Sequence, residues 1–242
     1  MKKTALITGA SGGLGLAIAN IMSKDYNLVL TYNTNEKPLK DLEEKLKDVT
    51  KIKIIKCDLT NEEDIKNLVE ESINEFSKID VLINNAATCY DEPVELKTKE
   101  TFMKVLDINL VAPFLLSKYV AQHMLEQKQG KIINISSTNG IDTNYPESVD
   151  YDASKAGLIS LTKNLAKHYA PYITVNAIAP GWIETPMNKD MDENYKKQEE
   201  EKILLKRFAK PDEIAHAVLF LCENTYINGT VIRVDGGVIW TF

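Results

Sequence analysis

Short runs of aliphatic and β-branched residues alternate along this chain with longer stretches whose apolar positions recur three and four apart. TALIT (4–8), NLVLTY (27–32), KIKIIK (51–56), IDVLINN (79–85), GKIINIS (130–136), ITVNAIA (173–179) and GTVIRV (229–234) read as seven strands. Between them GLAIANIMSK (15–24), KPLKDLEEKLKD (37–48), NEEDIKNLVEESINEF (61–76), a long region around 98–126, a segment from about 150 to 170 and PDEIAHAVLFLC (211–222) carry the helical period. Alternation of this kind demands parallel strands joined by right-handed crossovers. It predicts a doubly wound α/β fold, a seven-stranded parallel sheet with helices on both faces. No composition break or Gly/Ser-rich linker interrupts the rhythm, so residues 1–242 are expected to form a single domain. Two segments do not fit it, 86–97 and 180–205. Long connections at the C-terminal ends of parallel strands are where such folds carry their sites.

Composition narrows the function class. Charged residues make up 26% and hydrophobic ones 44% of the chain, near globular averages, so disorder is not expected. A net charge of −6 argues against broad binding to nucleic acid or to an anionic membrane, both of which select a basic face. No stretch reaches the ~18 uninterrupted apolar residues of a membrane span, and the opening MKKTALITGA loses its apolar run at Thr8-Gly9, too early for a signal-peptide core. Cys57, Cys89 and Cys222 are odd in number, scattered and without metal-ligand spacing, which fits reduced thiols in a cytoplasmic protein. His123, His168 and His216 lie far apart and read as ordinary helix residues, so no metal site is expected.

The candidate chemistry begins with TGASGGLG (8–15), which follows the first strand and opens the first helix. Glycines there let the backbone turn tightly and approach a pyrophosphate, whose charge would sit against the unpaired amides and positive end of the helix. Further along come CDLT with Asp58 after the third strand, NNAA (84–87) ending the fourth, ISSTNG (135–140) ending the fifth, YDASK (151–155) in a helix, PGWIET (180–185) after the sixth and VDGG (234–237) at the seventh. In this order and at these spacings the motifs resemble the short-chain dehydrogenase/reductase family, whose fold is of the Rossmann type. Within it the chain looks most like the 3-oxoacyl-acyl-carrier-protein reductases. Ala87 departs from the family's Asn-Asn-Ala-Gly.

The resemblance implies a nicotinamide dinucleotide held by Gly9, Ser11, Gly13, Leu14 and Gly15 of the glycine loop and by Asn33 and Thr34 after the second strand. It implies Asp58 and Leu59 beside the adenine, then Asn85 and Ala86, with Pro180, Gly181, Ile183 and Thr185 around the nicotinamide carboxamide. Tyr151 and Lys155 would also touch the cofactor, Lys155 through the ribose hydroxyls. The implied catalytic residues are Asn109, Ser137, Tyr151 and Lys155: Tyr151 the proton donor, Ser137 the carbonyl-orienting hydroxyl, and Asn109 a helix-kinking residue whose carbonyl holds a proton-relaying water.

Residues four apart share a helix face, so Lys155 is expected beside Tyr151. A phenol working near neutrality needs a shift of about 3 units, roughly 4 kcal/mol. A cation about 4 Å away at an effective dielectric near 20 supplies about 4 kcal/mol. Lys155 therefore suffices in magnitude, with burial of Tyr151 working against it. Asp152, between them in sequence, points off that helix face and is expected to be solvated. The interval from Ser137 to Tyr151 is slightly longer than expected in the carrier-protein reductases, which implies a reshaped substrate loop.

An acidic residue at the end of the second strand would repel a 2′-phosphate. Here Tyr32 is followed by Asn33-Thr34-Asn35, with Lys37 close behind, although the glycine loop has Gly12 where NADP enzymes often place a basic residue. The pattern favours NADP(H) over NAD(H). The expected substrate is a small-molecule or acyl-thioester carbonyl, with acyl carrier protein as a partner that Lys128 would meet near the mouth of the site; Pro171 stands where a second basic residue is expected. Another small ketone, sugar, steroid or quinone stays open as substrate, as does a dinucleotide-binding sensor without turnover. The charged segment 186–205 reads either as a lid, with Met187, Met191 and Tyr195 facing substrate, or as a solvated surface helix. A homotetramer is implied, with the apolar ending VIWTF (238–242) covered by a neighbouring subunit.

Overall fold

Strand β1 (Lys3–Ile7) lies inside a seven-stranded sheet of order β3-β2-β1-β4-β5-β6-β7. Its other members are β2 (Tyr26–Tyr32), β3 (Ile52–Lys56), β4 (Val81–Asn84), β5 (Gly130–Ile135), β6 (Ile173–Pro180) and β7 (Val231–Val234). The computed structural model describes residues 2–186 and 191–238. Every pairing is parallel, and Ala5 stands beside Leu28 of β2 on one side and Val81 of β4 on the other. All the expected strands are present, and the doubly wound fold with them.

Strands buried on both faces read as near-continuous apolar runs, and Ala5, Leu6 and Ile7 are all fully buried. The pleat divides them between two cores. Ala5 and Ile7 pack with helices α1 (Gly13–Met22), α2 (Lys37–Leu46) and α8 (Pro211–Glu223); Leu6 packs on the opposite face with α3 (Glu62–Phe76), α5 (Ala112–Glu126) and α6 (Val149–Tyr169). Truncating Leu6 to alanine would cost about 2–5 kcal/mol through lost burial and the cavity left behind.

Reversal of strand order positions the site. From β1 the chain runs outward through β2 to β3, then crosses back to lay β4 on the other side of β1. The connections leaving β1 and β4 diverge, which opens a crevice at the C-terminal ends of the strands.

Two segments differ from the reading of periodicity. The long helix expected around 98–126 is α4 (Lys99–Leu106), a π-helical stretch Asp107–Val111, and then α5. Ala112 donates its N–H to the carbonyl of Asp107, and Pro113, having no N–H, cannot donate to the carbonyl of Asn109 four residues back. The second segment is α7 (Glu193–Lys202), a helix in a stretch without an apolar stripe. Met187 and residues 239–242, on which the lid and subunit-cover expectations partly rest, lie outside the described residues. Among the described residues no helix is long and apolar enough to cross a membrane.

Candidate active site

The glycine loop is closed from two sides. Gly9 takes φ +59°, and a Cβ there would stand 2.7 Å from Cα of Ala86. A Cβ on Gly15 would stand 2.5 Å from the Gly9 carbonyl oxygen, and one on Gly13 would stand 2.9 Å from Cδ of Pro186. Thr8 Oγ1 accepts from the N–H groups of Asn85 at 3.0 Å and Ala86 at 3.1 Å, while Asn85 Nδ2 donates to the carbonyls of Thr8 at 2.9 Å and Gly9 at 3.1 Å. The Asn85 amide thus staples the end of β4 to the loop after β1.

Helix α1 begins at Gly12 with no side-chain cap and no acidic residue in its first turn. Three other helices are capped: Asn61 accepts from the Glu63 N–H at α3, with three acids in the first turn, and Thr98 and Asp192 cap α4 and α7, while α2, α5 and α6 also start without a side-chain cap. The first amides of α1 lack intrahelical partners. An uncapped helix start behind a close backbone turn fits a pyrophosphate.

The remaining positions expected to meet a cofactor line the same edge. Asn33 and Thr34 are exposed just past β2. Asp58 Oδ1 accepts from Thr60 N–H at 2.9 Å and Thr60 Oγ1 at 2.8 Å, which holds its carboxyl below the ordinary value. After β6, Gly181 donates to the Val234 carbonyl at 3.1 Å, and a Cβ on it would stand 2.9 Å from Cβ of Asp235. Ile183 bridges Ala209 in parallel register. Thr185 reaches Gly13, so PGWIET folds over the glycine loop.

At the reaction centre, the fifth strand and α6 are pinned across each other. Lys155 Nζ donates to the Ile135 carbonyl at 2.8 Å, and Ser136 Oγ donates to the Lys155 carbonyl at 3.0 Å. A Cβ on Gly140 would stand 2.6 Å from the Lys155 carbonyl carbon, so only glycine lets the turn after Ser137 lie this close. Ser136 is thereby committed to the backbone, and Ser137 is the serine turned to Tyr151. Lys155 Nζ stands 5.4 Å from the Tyr151 ring centroid. Asn109, fully buried in the π-helical stretch, exchanges bonds with Thr88 and donates to Ser154 Oγ at 3.1 Å. Ser154 Oγ in turn donates to the Tyr151 carbonyl at 2.7 Å.

Burial reverses the expected direction of the Tyr151 shift. It raises the phenol above its ordinary value of 10.0, with Cys89 adding to the rise and the Ser137 hydrogen bond opposing it. Lys155, also buried, falls from 10.5 to about 8. At the observed separation desolvation of the phenol exceeds what the ammonium returns.

Side chains mostly outside the quoted motifs flank the expected substrate side. Asp150 is fully buried and accepts from Lys97 Nζ at 2.8 Å and 2.9 Å and from the Tyr151 N–H at 2.9 Å. Tyr145 OH donates at 2.7 Å to Glu199 of α7, which also accepts from Trp182 Nε1 at 3.1 Å and Lys202 Nζ at 2.5 Å. Trp182 stacks on Phe208 at 5.4 Å and meets Tyr195 edge-on at 6.4 Å. Helix α7 is therefore not wholly solvated: its one buried residue is Glu199, and its Tyr195 meets Trp182 edge-on.

Two expectations are corrected here. Asp152 is not solvated, because the loop after Ser137 folds over it: its carboxylate accepts from Asn139 Nδ2 at 2.6 Å and from the Tyr145 N–H at 3.0 Å. Lys128 does not stand near the mouth within this chain. It precedes β5, at the N-terminal edge of the sheet, whereas Ser137 follows the C-terminal end of that strand.

Comparison with known proteins agrees with this arrangement. Residues 9–239 match the family model described as enoyl-(acyl carrier protein) reductase. The chain is 42% identical over 240 residues to the 3-oxoacyl-acyl-carrier-protein reductase FabG of Rickettsia felis, covering 98% of this chain and 97% of that one. It is 36% identical over 243 residues to an acetoacetyl-CoA reductase of an Acinetobacter species, covering 98% of each. A solved short-chain type dehydrogenase/reductase from Mycobacterium marinum superposes with a TM-score of 0.91 at 29% identity, over 97% of this chain and 94% of that one. With the crevice at the β1–β4 switch point, these matches mean that the chain belongs to the short-chain dehydrogenase/reductase family and is an oxidoreductase that works between ketones and alcohols with a nicotinamide dinucleotide.

Proposed function

We propose that the chain reduces the 3-keto group of an acyl thioester, carried on acyl carrier protein or coenzyme A, to a secondary alcohol with NADPH, and that Asn109, Ser137, Tyr151 and Lys155 carry the chemistry. The observation behind this reading is the convergence of Ser137, Tyr151 and Lys155 where β5 and α6 are pinned together, at the same strand edge as the glycine cradle. The names of the Rickettsia and Acinetobacter relatives, both acyl-thioester reductases, support the substrate class.

When bound, the dinucleotide supplies a hydride to the carbonyl carbon. Ser137 and Tyr151 each have an O–H to donate to the carbonyl oxygen and so polarise it. Tyr151, kept protonated by its burial, gives its proton to that oxygen as the carbon is reduced. Lys155 then stabilises the phenolate. A charge about 5 Å away at an effective dielectric near 20 contributes about 3 kcal/mol, most of the roughly 4 kcal/mol an ordinary phenol needs near neutrality, and the Ser137 hydrogen bond adds to it. The Asn109 carbonyl, denied its usual donor by Pro113, accepts from a water that returns a proton to Lys155.

The end of β2 supports NADPH. Asn33, Thr34 and Lys37 are exposed there, and the nearest acid along the chain, Glu36, is 3.9 Å from Lys40. Exposed Met103, Val111 and Phe114 on α4, the π-helical stretch and α5 support association of copies, for which we propose a homotetramer, to be read by sedimentation. Turnover of 3-oxoacyl thioesters on both carriers is to be compared with simple ketones, sugars, steroids and quinones by nicotinamide absorbance. The highest kcat/KM is expected for a 3-oxoacyl thioester with NADPH, and faster turnover of another class would overturn the reading.

A further inference from the structure

Asp152 belongs to the turn of α6 that carries Tyr151 and Lys155, yet it faces neither of them. Its Oδ1 accepts from Asn139 Nδ2 at 2.6 Å and from Ser148 Oγ at 3.5 Å, and its Oδ2 accepts from the Tyr145 N–H at 3.0 Å. Asn139 turns its other end to Ser137: the Ser137 hydroxyl donates to Asn139 Oδ1 at 3.0 Å, and the Asn139 N–H donates to Ser137 Oγ at 3.2 Å.

This chain has a fixed polarity. An ionised carboxylate only accepts hydrogen bonds, so the amide must present Nδ2 to Asp152, and its oxygen is left for Ser137. The Ser137 proton therefore points at Asn139, whose N–H also takes one serine lone pair, and the other lone pair is left for the Tyr151 side. A carbonyl oxygen arriving beside Tyr151 has to draw that proton across by rotation about one bond.

We propose that Asp152 is a positioning residue for the reaction: through Asn139 it holds the Ser137 oxygen in one place beside Tyr151, from which the hydroxyl swings to an arriving carbonyl, and through the Tyr145 N–H it fixes the loop beneath which the substrate carbonyl enters. The proposal rests on the reading of Ser137 as the carbonyl-orienting donor. An asparagine at 152 breaks the device without emptying the space, because Asn139 and Tyr145 meet different oxygens of the carboxylate, whereas an amide puts an NH2 donor at one of those two positions and no longer dictates which way Asn139 turns.

The test is steady-state kinetics with acetoacetyl-CoA and NADPH for Ser137→Ala, Asp152→Asn, Asp152→Ala, Asn139→Ala and the double variant Asn139→Ala/Asp152→Ala, with NADPH affinity measured by its fluorescence and folding by circular dichroism. Asp152→Asn and Asp152→Ala are expected to lower kcat about ten-fold, with NADPH affinity changed less than about two-fold on the same scale. The double variant is expected to lose no more than the worse single one, as for residues acting in one chain. Unchanged kcat in both Asp152 variants, with kcat lost in Ser137→Ala, would overturn the proposal alone. Losses that multiply in the double variant would also overturn it, since Asp152 would then act by another route. Activity retained by Ser137→Ala would instead overturn the underlying reading. Should both Asp152 variants fail to fold, Asn139→Ala carries the test, with the same fall in kcat expected and an unchanged kcat overturning the proposal.

Discussion

The two walls of the crevice are built by different physics. On the cofactor wall the work is done by backbone: a positive φ at Gly9, glycine contacts too close for any Cβ, an uncapped helix start, and one asparagine stapling two strand ends. On the substrate wall it is done by buried polar and charged side chains drawn from distant parts of the chain. Lys97 and Asp150 are 53 positions apart, and Tyr145 and Glu199 are 54. A backbone cradle suits a cofactor common to a whole family, whereas pairwise side-chain contacts can be exchanged one at a time to suit a substrate.

Two substitutions bear hardest on this contrast. Tyr151→Phe removes the proposed proton donor and is expected to lower kcat about a thousand-fold, within the range for loss of general acid catalysis, while NADPH affinity by fluorescence titration stays within a few-fold. Loss of cofactor binding in parallel would mean that the two walls are not separable. Lys97→Met leaves Asp150 charged, buried and short of its partner, which is expected to cost about 3–5 kcal/mol in chemical denaturation. Lys97→Met combined with Asp150→Asn removes both charges and is expected to recover most of that loss. If the double variant is no more stable than Lys97→Met alone, the ion pair is not what closes the substrate wall.

Lys155 stands where the walls meet, and its protonation can be read in stability. Its folded value, about 8, lies below its ordinary 10.5. At a pH below both, the native state buries a charge that the unfolded chain leaves in water, so the full destabilisation is present. Between these values the unfolded chain holds more protons, and stability rises with pH. Cys57, Cys89 and Cys222 are pushed above their ordinary 9.0, and Tyr151 above 10.0, by burial; they lower stability above those pH values. Measuring wild type against Lys155→Met cancels them to first order. The variant is expected to be the more stable by about 3 kcal/mol below pH 8, with the gap closing toward pH 10.5, and to be inactive. A gap that does not vary with pH would remove the buried charge from the account.

The same division governs what could be read from the sequence. Strands were legible because burial on both faces forces continuous apolar runs, and the glycine loop because its place between a strand and a helix is itself the signal. The π-helical stretch left a trace in Pro113, which denies Asn109 its usual donor. Helix α7 left only an open choice between a lid and a surface helix, since its one buried residue is a glutamate and hydrophobic periodicity cannot register it. Asp152 was misread for a related reason: helix phase places a side chain relative to its own axis, but not relative to a loop that folds over it. Likewise, charge spacing alone compared Lys155 with Tyr151 and could not weigh the desolvation that wins.

The mildest intervention tests whether cofactor choice lies in the cofactor wall alone. Asn33 is exposed at the end of β2, where a carboxylate would repel a 2′-phosphate and accept from ribose hydroxyls. At an exposed site the dielectric is high and each charge contact is worth about 1 kcal/mol, and a phosphate carries close to two charges. Asn33→Asp is therefore expected to reduce kcat/KM for NADPH by about ten-fold or somewhat more and to leave kcat/KM for NADH unchanged or raised. The NADPH penalty should shrink at high salt, because exposed charges are screened. The KM for the thioester is expected to stay constant, since no substrate-wall contact passes through β2. A shift in thioester KM of comparable size would show that the two walls communicate through the sheet, and the separation between backbone cradle and side-chain wall would have to be abandoned.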